Sequence, residues 1–463
     1  MKTNELISDD KKIAEIEMEA FKSSLRGALL LPDQEGYDQS RTIWNGMFDK
    51  YPTMVVKCAG PSDVIAAVNF ARENKLILAV KAGGHSFAGR STCDGGLLID
   101  LSNMKGIRVD SLKQTARAEA GALLSDLDHE TQAFGLAVTA GVVSHTGIAG
   151  LTLGGGQGYL MNKFGLTIDN LLSVDMVLAD GSFVKASKSE NEDLFWAIRG
   201  GGGNFGVVTS LEYQLHKVGP EVLAGMILYP LDQAKKMLQF YREYSMNTPD
   251  EMSVIAGIFT LPDGVKVFGF VVCWMGDFDE GNRQLEPLRA LPPPLADLIA
   301  PVPYVQLQKS FDAAVPHGMH RYNKMGYIPE ITDELIDIIV RNTKEVSPYS
   351  MILFNVMKGA VTRVRPEDTP FPYRGRQWYF DITPQWVDPE EADSLIAWTR
   401  AFWDEVEPHT QGTAVNWLSP DDGLDRVKAA YGPNYYRLAR LKHKYDPDNF
   451  FRLNNNILPN ANG

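Results

Sequence analysis

The sequence predicts an α+β protein built as two lobes, and three observations lead there. At 463 residues the chain exceeds one ordinary domain. Up to about Pro220, short apolar runs alternate with helical spacing. From about Glu221 glycine thins, aromatics and proline become denser, and runs such as Val265–Trp274 read as antiparallel strands. The expected division is residues 1–220, then 221–420 with an antiparallel sheet backed by helices, then 421–463. This last segment turns polar and helical from about Asp421, ends in Asn449–Ile457, and is expected to pack back on the first lobe.

Asp10–Ser24 carries apolar residues at helical spacing. Met54–Cys58 has strand character, and Ser62–Asn74 reads as an amphipathic helix. Pro61 and Ser62 open it, because proline's fixed φ suits a first helical turn. Leu76–Val80 is an apolar, partly β-branched run, hence a buried strand that leads into Lys81-Ala82-Gly83-Gly84-His85-Ser86. Leu97–Leu101 and Leu172–Leu178 are further strands, the second turned back by Asp180-Gly181. Asn191–Arg199 is helical with acids at its start, Gly200–Gly203 breaks it, and Val207–Leu215 is a strand.

A formal net charge of −13 argues against nucleic acid or an anionic membrane as partner. No apolar run approaches a membrane span, and Met1–Asp10 lacks the basic start and apolar core of a signal peptide. Cys58, Cys93 and Cys273 are odd in number and scattered, so buried or half-buried thiols are expected rather than a disulfide framework. A cytoplasmic location is the expectation. No metal site is expected, because His317 and His320 have only their spacing to support them.

Glycine marks the candidate binding surfaces. Gly201–Gly206 fits the G-x-G-x-x-G pattern, but a dinucleotide fingerprint needs a strand before it and a helix after it. Here the order is reversed, which excludes a Rossmann NAD site. Lys81–Ser86 follows a strand, and its successive N–H groups could form an anion nest for a diphosphate. Gly141–Gly158 holds seven glycines in eighteen residues, with Val142, Ile148 and Leu153 interleaved, so backbone can approach a flat or charged ligand.

Gly83-Gly84-His85-Ser86, Cys93-Asp94-Gly95-Gly96 and Ile99-Asp100-Leu101 open a longer resemblance. It continues through Gly141–Gly158, Asp193–Ala197, Arg199–Gly206, Asn434–Leu438 and Tyr445–Arg452. Together they resemble the berberine bridge enzyme-like oxidases, which belong to the vanillyl-alcohol-oxidase type of FAD proteins with a PCMH-type FAD-binding domain. The resemblance runs from about residue 45 to 460. It implies an FAD domain of two α/β subdomains over 1–220, a substrate domain over 221–420 whose antiparallel sheet covers the flavin ring, and a berberine-like segment over 421–463.

It also implies covalent FAD. The family's histidine after Gly-Gly bonds to the flavin 8α-methyl carbon, and here it is His85. That chemistry needs a neutral imidazole with a free nitrogen. Many relatives add a second link from a cysteine; the matching position here is Val143, so a single link is expected. Carried over position by position, the cofactor site takes in Lys81, Ala82, Gly83, Gly84, Ser86 and Gly89 around that histidine. The glycine stretch contributes Gly141, Val142, Ser144, His145, Gly147, Gly150, Gly154, Gly156 and Gly158. Gly206 and Val208 follow, with Asn416, Asn454 and Asn456 nearer the C-terminus. Ser144–Gly147 resembles one bacterial branch, which includes single-link oxidases and an enterocin-pathway flavin oxygenase.

Thr146 stands where relatives gate the reactive edge of the ring; it leaves room for oxygen, and its hydroxyl could bond near N5. In many plant relatives a tyrosine after an asparagine is the base, but the pair here is Asn416-Trp417, and an indole only donates. Trp417 and Tyr304 become candidates for the substrate pocket. The remaining catalytic candidates are Tyr379, Tyr322 and Lys324. A phenol with pKa near 10 needs a cation beside it to act near neutrality, and Lys324 is the candidate cation.

The leading functional expectation is an oxidase. A small alcohol, amine or phenol-like substrate gives hydride to flavin N5, and O2 reoxidises the flavin to give H2O2. Alternatives are a flavin oxygenase of secondary metabolism, a dehydrogenase with another acceptor and, in a different class, a flavin-binding protein without turnover. Substrate identity stays open because the fold serves many substrates, and so does the oligomeric state.

Overall fold

A computed structural model describes residues 7–8, 11–12, 15–261, 264–343, 347 and 349–461. The expectation for Met1–Asp10 falls largely outside that set. So do residues 10, 13 and 14 of the first expected helix, which runs Glu15–Ser24; ahead of it Lys11–Lys12 pairs antiparallel with Ile7–Ser8.

Four strands make the first sheet, in the order Ala28–Leu30, Met54–Lys57, Leu97–Asp100, Leu78–Lys81. Leu97–Asp100 lies between two parallel neighbours and is buried throughout, as a parallel strand covered on both faces must be. Parallel neighbours need crossovers, and the helix Pro61–Glu73 begins one of them with Pro61 in its first turn. The second sheet is antiparallel, ordered Phe183–Ser187, Leu171–Val177, Val207–Gln214, Thr115–Glu119, Ile107–Asp110. The helix Glu192–Ile198 precedes the glycine turn Gly202–Asn204 and Val207–Gln214 follows it, the reverse of a dinucleotide fingerprint.

The largest sheet is antiparallel and has eight strands. Its main path runs Ala296–Asp297, Glu221–Pro230, Lys266–Trp274, Met252–Thr260, Met351–Met357, Gln377–Thr383, Lys324–Ile328. Lys266–Trp274 starts one residue later than the sequence implies. Alternation along Gln377–Thr383 divides its side chains between two faces. Trp378, Phe380 and Ile382 join the core with Tyr241, Leu335 and Phe402 from the helices Ala234–Asn247, Asp333–Asn342 and Ala392–Val406. Tyr379, Asp381 and Thr383 face the other way, onto a cavity.

After Leu424–Tyr431 and Tyr435–Tyr445 the chain returns to the first two sheets: Leu438, Phe451 and Ile457 share one apolar cluster with Met54, Ile99 and Val177. A buried ion pair ties that return. Lys442 Nζ donates to Asp446 Oδ2 at 2.6 Å, to the Asn204 carbonyl at 2.7 Å and to the Phe451 carbonyl at 2.9 Å. Asp446 also accepts the Phe450 and Phe451 amides. Cys58, Cys93 and Cys273 are free and buried. Among the described residues no helix is long and apolar enough to cross a membrane.

Lys442→Met leaves the Asp446 carboxylate buried without its counter-charge. It is expected to destabilise the chain by about 3–5 kcal/mol, read as a lower urea midpoint. An unchanged midpoint would contradict the role given to this pair.

Candidate functional site

The loop after Leu78–Lys81 and the glycine stretch meet backbone to backbone. A Cβ on Gly83 would collide with the Gly147 amide nitrogen, and one on Gly147 with that of Gly83. Only residues without side chains allow this approach. Gly84 holds φ +69°, a region that penalises any side chain. Within the stretch the sequence reading marked only as glycine-rich lies a six-residue helix, Ile148–Leu153.

These two segments floor a cavity of about 380 Å³. Its other walls are Gly202–Asn204 with Gly206–Val208, the inward residues of the large sheet, Ala414–Leu418, and the tail residues Leu453–Asn455. Ala82, Gly83, Gly84, His85, Ser86, Gly141, Val142, Thr146, Gly147, Gly150, Gly154, Gly156, Gly206, Val208, Tyr379, Asn416, Trp417 and Asn454 all line it.

His85 stacks on Trp44, with ring centroids 4.1 Å apart and planes at 17°. Trp44 is itself held by a 2.9 Å bond from Nε1 to the Val315 carbonyl. His85 Nε2 lies 2.8 Å from His145 Nδ1. Burial first, then His145, His317 and Arg321, hold the His85 pKa well below the ordinary histidine value, so the ring is neutral at pH 7. His317 converges with His85 and His145, not with His320 as the sequence reading considered: one ligand atom from each of the three lies within 4.8 Å of the others. Burial first, and Arg321 with it, depress the pKa of all three rings. That positive charge opposes a dication.

Thr146 has its amide on the Val143 carbonyl, while its hydroxyl has no partner among the described residues. Asn416 Nδ2 donates to the Leu151 carbonyl at 3.1 Å. Trp417 packs on Phe87, centroids 5.4 Å apart.

Three residues sit side by side on the sheet wall. Tyr379 accepts a 3.1 Å hydrogen bond from Asn355 Nδ2. Burial and the neighbouring Asp381 push its pKa above the ordinary phenol value. Asp381 accepts from Thr383 Oγ1 at 3.1 Å through Oδ2, while its buried Oδ1 has no partner among the described residues. Burial raises this carboxyl to about 7. The sequence reading missed Asp381, as it missed Trp44, Thr383 and Gly202–Asn204. The glycine run was visible, but the signal for Asp381 was only its alternation with Tyr379.

Other expected site residues lie outside the wall. Lys81 turns away, its Nζ on the Ser40 carbonyl and 3.4 Å from Asp100. Gly89, at φ +64°, makes room for the Phe48 ring. Ser144 is tied to Asp312 through its amide at 2.8 Å and its hydroxyl at 2.6 Å. His145 stands behind His85, and Gly158 packs against the Ala140 carbonyl. Asn456 does not line the cavity; its Oδ1 is buried without a partner among the described residues, as is Asn454 Oδ1. Tyr304 is buried under the large sheet beside Tyr159 and Val222. Tyr322 donates to Asp421 at 2.8 Å. Lys324 donates to Asp422 at 2.7 Å, and its strand register opposite Ile382 puts it on the other face from Tyr379. The expected Lys324–Tyr379 pair therefore does not form.

A glycine floor that side chains would fill, two backbones in contact and, on the cavity wall, Asn454 with an Oδ1 that has no partner among the described residues fit a dinucleotide such as FAD.

Residues 52–187 match the model of an FAD binding domain, and residues 413–458 match "Berberine and berberine like". An FAD-linked oxidoreductase of Dictyostelium discoideum is 36% identical over 448 residues, covering 96% of this chain and 97% of that one. The (R)-6-hydroxynicotine oxidase of Paenarthrobacter nicotinovorans is 28% identical, covering 94% and 97%. The crystal structure of 6-hydroxy-D-nicotine oxidase from Arthrobacter nicotinovorans superposes with a TM-score of 0.86 at 28% identity, over 94% of this chain and 99% of that chain. A berberine-like enzyme of Physcomitrella patens shares the fold, with a TM-score of 0.86 at 24% identity over 94% and 97%.

Gly83→Ala drives a methyl group into the Gly147 backbone and is expected to lower bound FAD per chain severalfold. Gly423→Ala, where a Cβ meets nothing within 4 Å, serves as control. Full flavin content in Gly83→Ala, read by absorbance, would show that this contact does not shape the site.

Proposed function

This chain belongs to the berberine-like FAD-linked oxidoreductases, and we propose that it is an oxidase of a small alcohol, amine or phenol-like substrate in which Asp381 takes the substrate's proton. The observation that carries this is the buried Oδ1 of Asp381 on the cavity wall, without a partner among the described residues, on a carboxyl raised to about 7. A buried carboxyl without a cation beside it is costly unless a ligand supplies a donor, and a pKa near the working pH suits a general base.

FAD, when bound, supplies the two-electron acceptor and passes the electrons to dioxygen, giving hydrogen peroxide. The chain's own residues do the rest. The Gly83–Ser86 loop and the Gly141–Gly158 stretch present backbone N–H groups to the diphosphate. His85 is the single covalent anchor, with no cysteine near Val143. Asp381, ionised, accepts the proton of an O–H or N–H as the adjoining C–H bond is oxidised. Tyr379 stays protonated and donates a hydrogen bond, since burial and Asp381 raise its pKa by more than the hydrogen bond from Asn355 lowers it. Trp417 and Phe87 form the apolar wall, and Thr146 stands beside the path of oxygen.

The division of labour we assign follows the expected boundaries, with the cofactor held by 1–220 and 421–463 and the substrate by 221–420. Three buried free thiols support a reducing, cytoplasmic setting.

Asp381→Asn removes the proton acceptor. Anaerobic flavin reduction by substrate is expected to slow about 10²-fold or more with FAD content unchanged. A base works only when ionised, so the unmodified chain's reduction rate should rise with pH through about 7 and level above it, and the variant should lose that step. Equal stopped-flow rates would remove Asp381 from the chemistry. For reoxidation, Thr146→Leu should slow the reaction of reduced protein with O2 about tenfold while Thr146→Val leaves it unchanged, if space and not the hydroxyl governs access. Tenfold corresponds to about 1.4 kcal/mol of barrier. Unchanged rates in both variants would take Thr146 out of the oxygen reaction.

A further inference from the structure

We propose that His145 is the positioning residue for the covalent attachment at His85: it holds His85 with Nδ1 bare and takes the Nε2 proton as the bond to the cofactor forms. This rests on the reading of His85 as the attachment point.

The two rings share one hydrogen bond, 2.8 Å between His85 Nε2 and His145 Nδ1. A single proton lies in it, and its side decides the chemistry. When His85 Nε2–H donates to His145 Nδ1, His85 Nδ1 keeps its lone pair and is the nucleophile. When His145 donates instead, a neutral His85 must carry its proton on Nδ1 and cannot attack. Among the described residues His85 Nδ1 makes no hydrogen bond, and the ring is fixed face-on by Trp44. His145 is in turn held by its own chain: Ser144 is clamped through amide and hydroxyl to Asp312.

The same hydrogen bond serves the product. Once Nδ1 is bonded to carbon, His85 Nε2 is an acceptor only, and His145 Nδ1–H donates back to it. His145 Nε2 is buried without a partner among the described residues. An N–H there is left unpaired, which favours release of that proton once Nδ1 has gained one. Burial, the largest influence, and Arg321 disfavour the imidazolium formed in between, which keeps it short-lived, while the Asp312 carboxylate favours it. The outward neighbour is exposed His317, its ring centroid 4.8 Å from that of His145.

The atoms and electrons balance as follows. One C–H bond of the 8α methyl group and the N–H bond of His85 break, and one C–N bond forms. Two electrons and two protons are left over; the electrons pass through the ring to dioxygen, which takes up both to give hydrogen peroxide. His145 carries the histidine's share of the protons.

The test measures attachment, not turnover. The chain, made in riboflavin-starved cells, is given FAD. Total flavin is read from the native protein and covalent flavin from acid-precipitated protein, with the modified peptide located by mass. Unmodified chain should attach FAD at His85, and His85→Ala should not. His145→Ala should bind FAD but attach it at least tenfold more slowly. His145→Asn keeps an acceptor for the hydrogen bond but cannot take the proton. It should bind FAD and be slowed at least tenfold as well, and it decides the matter if the alanine variant fails to fold. Attachment at the unmodified rate in a His145 variant that binds FAD overturns the role of His145 and leaves that of His85 intact. Unmodified chain that releases all flavin to acid, or carries it on another residue, overturns both.

Discussion

The contact on which the site depends is that of two backbones, Gly83 against Gly147. A side chain on either residue would hold the two loops apart. Because both are bare, the residues beside them in the chain come within reach of each other: His85 two positions after Gly83, His145 and Thr146 just before Gly147. The hydrogen bond between the histidines is a consequence of that approach, and so is the continuous glycine floor. The positive φ of Gly84 turns the chain between the contact and His85. The loop therefore presents its histidine from a fixed base.

The opposite wall obeys a different rule. Period-two alternation on Gln377–Thr383 sends Trp378, Phe380 and Ile382 into the helix-backed core and Tyr379, Asp381 and Thr383 into the cavity. The pairing across to Lys324–Ile328 carries the same rule over. Tyr327 lies opposite Tyr379, and Lys324 lies opposite Ile382. A lysine on the far face cannot lower the pKa of a phenol on the near one, and Asp421 and Asp422 take its charge instead. One residue of register decides which ionisable groups face the cavity.

This explains what could be read in the sequence. Local signals carried Pro61–Glu73, Leu97–Asp100, Val207–Gln214 and the glycine loops, because apolar period, helix start and glycine density are written in consecutive residues; His85 stood out only through the family resemblance. The return of the tail was readable only as a texture change near Asp421; its anchoring by Lys442 to the Asn204 carbonyl joins residues distant in the chain. Asp381, Trp44 and Tyr322 could not be placed, for their roles depend on which strand lies beside which. The Gly201–Gly206 run shows both sides of this limit. Element order excluded a Rossmann site, but only the fold shows that Gly202, Gly203 and Asn204 line the cavity.

One cause sets the protonation of the whole site. Burial is the largest influence on His85, Tyr379 and Asp381 alike. It disfavours whichever form is charged: imidazole stays neutral, phenol stays protonated, and the carboxyl rises towards neutrality. The result is a neutral imidazole on the cavity wall. On the sheet wall, a protonated phenol adjoins a carboxyl balanced between acid and base near pH 7. Had Lys324 reached the cavity, its charge would have drawn Asp381 down and fixed it as an anion. The exclusion of cations from this wall is thus as much a part of the chemistry as the groups it holds.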